Sequence, residues 1–272
     1  MFAAVSPAVA ESSEGGAIDS RSDASPVQSA ARPYSLDIAE PVQLAGSDSR
    51  AADFQANVLP GFLKIMNERL TEARSAGDVS AMQLDPSKMT LKYDANVRAY
   101  FVGEGAGYRN TLGFSTAGSG VKGSDAELVF PDASSNSGYG GSGAAKRTSS
   151  APLLAGDFVD LGTLSAGSNL DFFLIANGAA GGREVFSTQR SANRDGLVHS
   201  VSLAPDGSAF LLIGFEDLYG GGDRDYNDVV FAVEIGHANV ASLAAPEPSL
   251  ALGSMIAGAS ILCGYRRRWR VA

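Results

Sequence analysis

From Met89 onward the apolar residues of this chain recur every second position, in short runs that end at Gly, Asn, Asp or Ser. Met89, Leu91 and Tyr93 alternate with Thr90, Lys92 and Asp94, and Val97, Ala99 and Phe101 continue after Asp94-Ala95-Asn96. Further runs cover 112–115, 127–130, 157–161, 170–176, 184–187, 197–203, 209–215 and 229–235. Side chains alternate across a strand, so a period of two marks strands with one buried face. Many short strands parted by turn residues predict a mainly β chain folded as an antiparallel β-sandwich, jelly-roll-like. No helical pattern interleaves, which excludes a doubly wound α/β fold. The stretch Ser134 to Ser150 reads as a Gly/Ser-rich surface loop.

The remainder is arranged around this β region, 78–237. Residues 11–53 are Ser, Ala, Gly, Asp and Pro with scattered apolars and no lasting period, the pattern of a disordered leader. Within 54–77, Pro60 suits a first helical turn, and Phe62, Ile65, Met66, Leu70 and Ala73 mark one helix face, with Gly77 as a stop. Residues 238–248 read as a linker. Residues 249–265 carry no charge over 17 positions. At about 1.5 Å per residue they reach about 25 Å, enough for a short transmembrane helix. Arg266, Arg267, Arg268 and Arg270, with Trp269 among them, make 266–272 a basic cytoplasmic tail. At the other end, Ala8-Val9-Ala10 fits a cleavage site, so 1–10 read as a truncated signal peptide.

Charge and composition exclude several functions. The formal net charge is -9, and the 245 residues before Pro246 carry a net of -12. Such a body does not displace phosphate counterions, so no nucleic acid is expected. One Cys rules out a disulfide framework and a Cys-based metal cluster, and two His leave little for an imidazole metal site.

The chemistry concentrates in residues 216–228, Glu-Asp-Leu-Tyr-Gly-Gly-Gly-Asp-Arg-Asp-Tyr-Asn-Asp, which join two apolar runs as a hairpin connection. Five carboxylates (Glu216, Asp217, Asp223, Asp225, Asp228) share these thirteen positions with Asn227. Crowded like charges repel unless a cation cancels them, and calcium takes six to eight oxygens of this kind. Asp223, Asp225 and Asp228, with Asn227 or a backbone carbonyl, are expected to form one Ca2+ site that Glu216 or Asp217 closes. The competing reading is a solvated acidic turn with Arg224 as internal counterion. An EF-hand is excluded. Asp228 stands where that loop needs Gly, and Glu234 falls on a strand about 20 Å further on. Catalysis is not expected. Glu216 and Asp228 as a glycosidase pair would both stay ionised in so acidic a loop, and His199 and His237 read as structural residues. Tyr219 and Tyr226 are expected to be exposed and able to stack on sugar rings.

Two resemblances add to this. Pro246-Glu247-Pro248, the uncharged stretch and the Arg cluster resemble the PEP-CTERM sorting signal. That resemblance implies export, temporary anchoring by the C-terminal helix and processing by an exosortase. It places the protein at the inner membrane first, then at the cell surface or outside. LLIGFEDLYGGGDRDYNDVVFAVEIG (211–236), with VRAYFVGEGAGYRNTLGF (97–114) and DFFLIANG (171–178), resembles the domain-of-unknown-function 4114 family over about 89–236. This implies an extracellular β module with no established catalytic role, in which Glu216, Asp217, Asp223, Asp225, Asn227 and Asp228 bind calcium. The expected role is adhesion or exopolysaccharide matrix, with a purely structural surface protein as the alternative.

Overall fold

A computed structural model of the protein describes residues 27–70, 83–118, 120–137 and 146–245. The strands are β1 (Gln83–Leu84), β2 (Ala95–Gly103), β3 (Thr111–Ser115), β4 (Glu127–Phe130), β5 (Phe158–Leu164), β6 (Asp171–Ala176), β7 (Glu184–Ser187), β8 (Ser200–Leu203), β9 (Phe210–Phe215) and β10 (Val229–Glu234). They form two antiparallel sheets, ordered β1-β8-β9-β10-β2-β5 and β4-β3-β6-β7. The expected β class and two-sheet architecture are therefore present. The split is six and four, where a jelly roll has eight strands.

Alternation decides which side chains meet. Val97, Ala99 and Phe101 of β2, Leu211 and Ile213 of β9, and Phe231 and Val233 of β10 face Leu112, Phe114, Phe172 and Leu174 of the smaller sheet. Phe172 and Phe231 meet across this interface with ring centroids 4.9 Å apart. The other side of the larger sheet is also apolar: Tyr100, Val102, Val201, Leu212 and Val230. A third layer covers it, because α1 (Ser49–Asp53), a π-helical turn (Phe54–Val58) and α2 (Leu59–Arg69) lay Phe54, Leu59, Phe62, Met66 and Leu70 over that face. Phe54 stacks on Tyr100 at 3.9 Å. Over its described part, to Leu70, the helical stripe read from the sequence is core packing, though the helix begins earlier than residue 54; Ala73 and Gly77 lie outside the described residues. Asp48 is its N-cap, accepting the Ala51 N–H at 2.7 Å.

Three expectations are corrected. The leader is ordered over its described part, 27–53, with Val27 and Val42 buried. Ile38 bridges Leu128 and Gln43 bridges Phe158, so this segment closes the β4 edge of one sheet and the β5 edge of the other. It shows no period because each pairing is a single bridge, not a strand. The linker begins as a helix, α3 (His237–Ala244). Buried Asn239 accepts the Lys92 and Tyr93 N–H groups and donates to the Tyr93 and Ile235 carbonyls, which pins α3 to the body. The start of the Gly/Ser loop is buried, since Asp132 pairs with Arg109 beneath it.

Among the described residues no helix is long and apolar enough to cross a membrane. The expected signal segment 1–10, the span 249–265, Pro246, Glu247, Pro248 and the Arg266, Arg267 and Arg268 cluster lie outside the described residues.

Candidate functional site

β9 and β10 pair from Phe215↔Val229 to Phe210↔Glu234, so residues 216–228 are the connection of a hairpin at the centre of the larger sheet. Strand geometry fixes both arms. Asp228 N–H donates to the Phe215 carbonyl at 3.0 Å and Glu216 N–H to the His199 carbonyl at 2.9 Å. Between them the chain coils tightly, with positive φ at Gly220, Gly221, Gly222, Arg224 and Tyr226. At Gly222 the close approach demands glycine: a Cβ there would lie 1.9 Å from Glu216 Oε1. The coil directs Arg224 N–H to Glu216 Oε2 at 3.1 Å. Asn227 N–H donates to Asp225 Oδ1 at 3.1 Å, and Asp217 N–H to Asp228 Oδ2 at 2.8 Å.

The carboxylates converge in two groups that share Glu216. Oxygens of Glu216, Asp223 and Asp225 lie within 4.8 Å of one another, and so do those of Glu216, Asp217 and Asp228. The structure brings together all five acids named from the sequence. Asn227 joins through its amide, which donates to Asp225. Glu216 is therefore the hinge of the cluster, where the sequence reading cast it as one of two alternatives for closing the site. Glu234 is excluded as expected: it sits at the far end of β10, paired with Arg50 at 2.9 Å.

Three of the five acids are buried, while Asp223 is exposed and Asp228 half-buried. Glu216 is 1 %, Asp217 5 % and Asp225 8 % exposed. Burial, then the charges of Asp223, Asp225 and Asp217, pushes the Glu216 carboxyl up to about 7. Burial and Asp217 push Asp228 up to about 8. Asp217 is raised by burial as well, against the hydrogen bond it accepts from Asn110 Nδ2 at 2.7 Å. The expectation that the loop keeps its carboxylates ionised is thus overturned by burial. The Gly222 backbone lies against the Glu216 carboxyl. Arg224 does not act as the counterion of the competing reading. Among the described residues its guanidinium makes no ion pair, and only its backbone N–H serves Glu216.

The sequence reading missed the residues that brace the loop from outside it. Glu104, in the Gly-rich 103–107 turn, accepts the Ser135 N–H and is pushed up to about 6 by burial, with Asp132 and Asp217 adding to it. Asp195 accepts the Gly220 N–H at 2.9 Å and holds His199 Nε2 at 2.9 Å. His199 Nδ1 lies 3.3 Å from the Glu216 carbonyl, and the ring stacks on Phe186. Both ring nitrogens thus have a polar partner. The short i, i+4 spacing of Asp195 and His199 was the available signal for this support. Tyr219 is exposed as expected, with Arg194 4.8 Å over its ring, whereas Tyr226 packs against the helix layer.

The fold and site define an antiparallel two-sheet β module with an acidic, oxygen-lined hairpin site. Residues 164–236 match the family described as Domain of unknown function (DUF4114). No curated protein and no solved structure matches the chain.

Proposed function

We propose that this chain is an exported cell-envelope or extracellular-matrix module whose 216–228 loop binds calcium. The observation that carries the reading is the convergence of five carboxylates, three of them buried, on Glu216. Burying such charge uncompensated is unfavourable, and a hard divalent cation removes both the repulsion and the need to hold protons. Carboxylate, amide and backbone oxygens are the donors calcium takes, whereas one Cys and two His offer nothing to softer metals. Glu216, Asp223 and Asp225 are the principal ligands in this reading, with Asp217, Asn227 and Asp228 completing the site.

Export, exosortase processing and temporary anchoring by 249–265 rest on the order of Pro246-Glu247-Pro248, the uncharged stretch and the Arg cluster. For the role, adhesion or an exopolysaccharide matrix competes with a structural surface protein whose calcium stabilises the fold. Burial of Glu216, Asp217 and Asp225 and the packing of Tyr226 against the helix layer favour the second, because of the two loop tyrosines Tyr219 is the exposed one. Two measurements test the reading. Fractionation with a C-terminal mass should find secreted protein cut near Pro246-Glu247-Pro248. Soluble cytosolic protein retaining the Arg cluster would contradict the address. Glycan binding abolished by a chelator would restore the adhesive role over the structural one.

A further inference from the structure

The acidic loop touches the helix layer as well as the sheet. Asn227 Nδ2 donates to the Leu70 carbonyl at 3.1 Å, and the same nitrogen faces the Asp225 carboxylate. Leu70 is the C-cap of α2, and it is buried in the cluster that joins this helix to the sheet. The approach is close. A Cβ at Gly214 of β9 would lie 2.2 Å from the Tyr226 carbonyl oxygen and 3.3 Å from Leu70 Cδ1. The Tyr226 ring packs into the same helix cluster. The last turn of α2, a central strand and the ligand segment 225–228 therefore meet at one point.

An asparagine side chain has two ends of opposite sense. Its oxygen suits a hard cation, and its nitrogen suits a carbonyl. A cation that takes Asp225 and draws in Asn227 Oδ1 leaves Nδ2 directed at Leu70. In the structure Nδ2 is shared between the Leu70 carbonyl and the Asp225 carboxylate, so a cation on Asp225 removes the competing acceptor. Resting on the calcium reading above, we propose that the helix layer is the output of the site: cation binding locks the C-terminal end of α2 onto the sheet, and cation loss lets that end loosen. Coupling of this kind is reciprocal, so loosening α2 weakens cation binding by the same factor.

The test pairs calorimetry of calcium binding with hydrogen exchange of the full chain, in calcium and in chelator. Calcium should slow exchange over the α2 segment about tenfold and leave α3, which follows the end of β10 remote from the loop, unchanged. Phe62→Leu, which alters no oxygen of the site, should weaken calcium affinity about threefold. Calcium binding by calorimetry with unchanged α2 exchange overturns the coupling and leaves the calcium site standing. Absence of binding overturns both. If Phe62→Leu fails to fold, the wild-type exchange comparison decides alone.

Discussion

At the scale of single residues, Glu216 carries the most consequence. Its carboxyl is shared by both oxygen groups, buried, and accepts the Arg224 N–H. The linkage has a definite sign. A carboxyl whose folded pKa is raised binds its proton more tightly in the folded chain, so its contribution is full below about 4 and is lost as pH rises through the folded value. With Glu216 at about 7 and Asp228 at about 8, the cation-free protein should lose stability steadily between about pH 4 and about pH 8. Urea titrations in chelator across that window check this. Glu216→Gln keeps an acceptor for Arg224 N–H and removes one charge. It should flatten the decline, raise cation-free stability at pH 8 and abolish the response to calcium. The acids themselves were legible in the sequence, because their density within thirteen positions is a local property. Their burial was not, because it depends on Asn110, His199 and the helix layer, which are remote in the chain.

At the scale of elements, the period-two runs located most of the strands to within a residue or two. The errors fall where side chains compete with the ladder. The run 197–203 becomes a strand only from Ser200, because Leu197 N–H is held by Asp195 and His199 is turned onto Phe186. The run 89–93 is reduced to a bridge at Thr90, with Met89 and Leu91 still buried. The leader defeated sequence reading for a related reason: two single bridges on two sheet edges leave no period. Asp48 shows what order in that segment is worth. It caps α1 and pairs with Arg98 at 2.8 Å, and Arg98 is shared with Asp160 and lies over the Phe158 ring. The bond from Arg98, with the Ala51 N–H, holds the Asp48 carboxyl down at about 2. Its contribution is therefore present above about pH 4 and lost as pH falls towards 2. Asp48→Ala removes the cap and one of the two carboxylates on a buried guanidinium, and should cost about 2 kcal/mol in urea unfolding at pH 7. Asp48→Asn keeps the cap and should cost less.

At the scale of the whole molecule, the matched stretch 164–236 is narrower than the folding unit. It holds β6 to β10, but β10 lies between β9 and β2, and β3 and β4 complete the smaller sheet. The site crosses that boundary too, through Asn110 to Asp217 and Leu70 to Asn227. A hairpin connection rich in carboxylates is tolerable at the centre of such a body only if the charge is neutralised, by protons or by a cation. The central claim is that calcium does this, with the weak affinity of extracellular modules, about 10⁻⁴ to 10⁻³ M. Magnesium, which demands a small octahedral shell and keeps its waters, should not substitute. The most direct measurement is the thermal melt of the full-length protein in calcium, in magnesium and in chelator. Calcium at about 100 times its dissociation constant should add about 2.7 kcal/mol and raise the midpoint by about 5–10 °C, with magnesium and chelator curves coinciding below it. Three superimposable curves would contradict the calcium site.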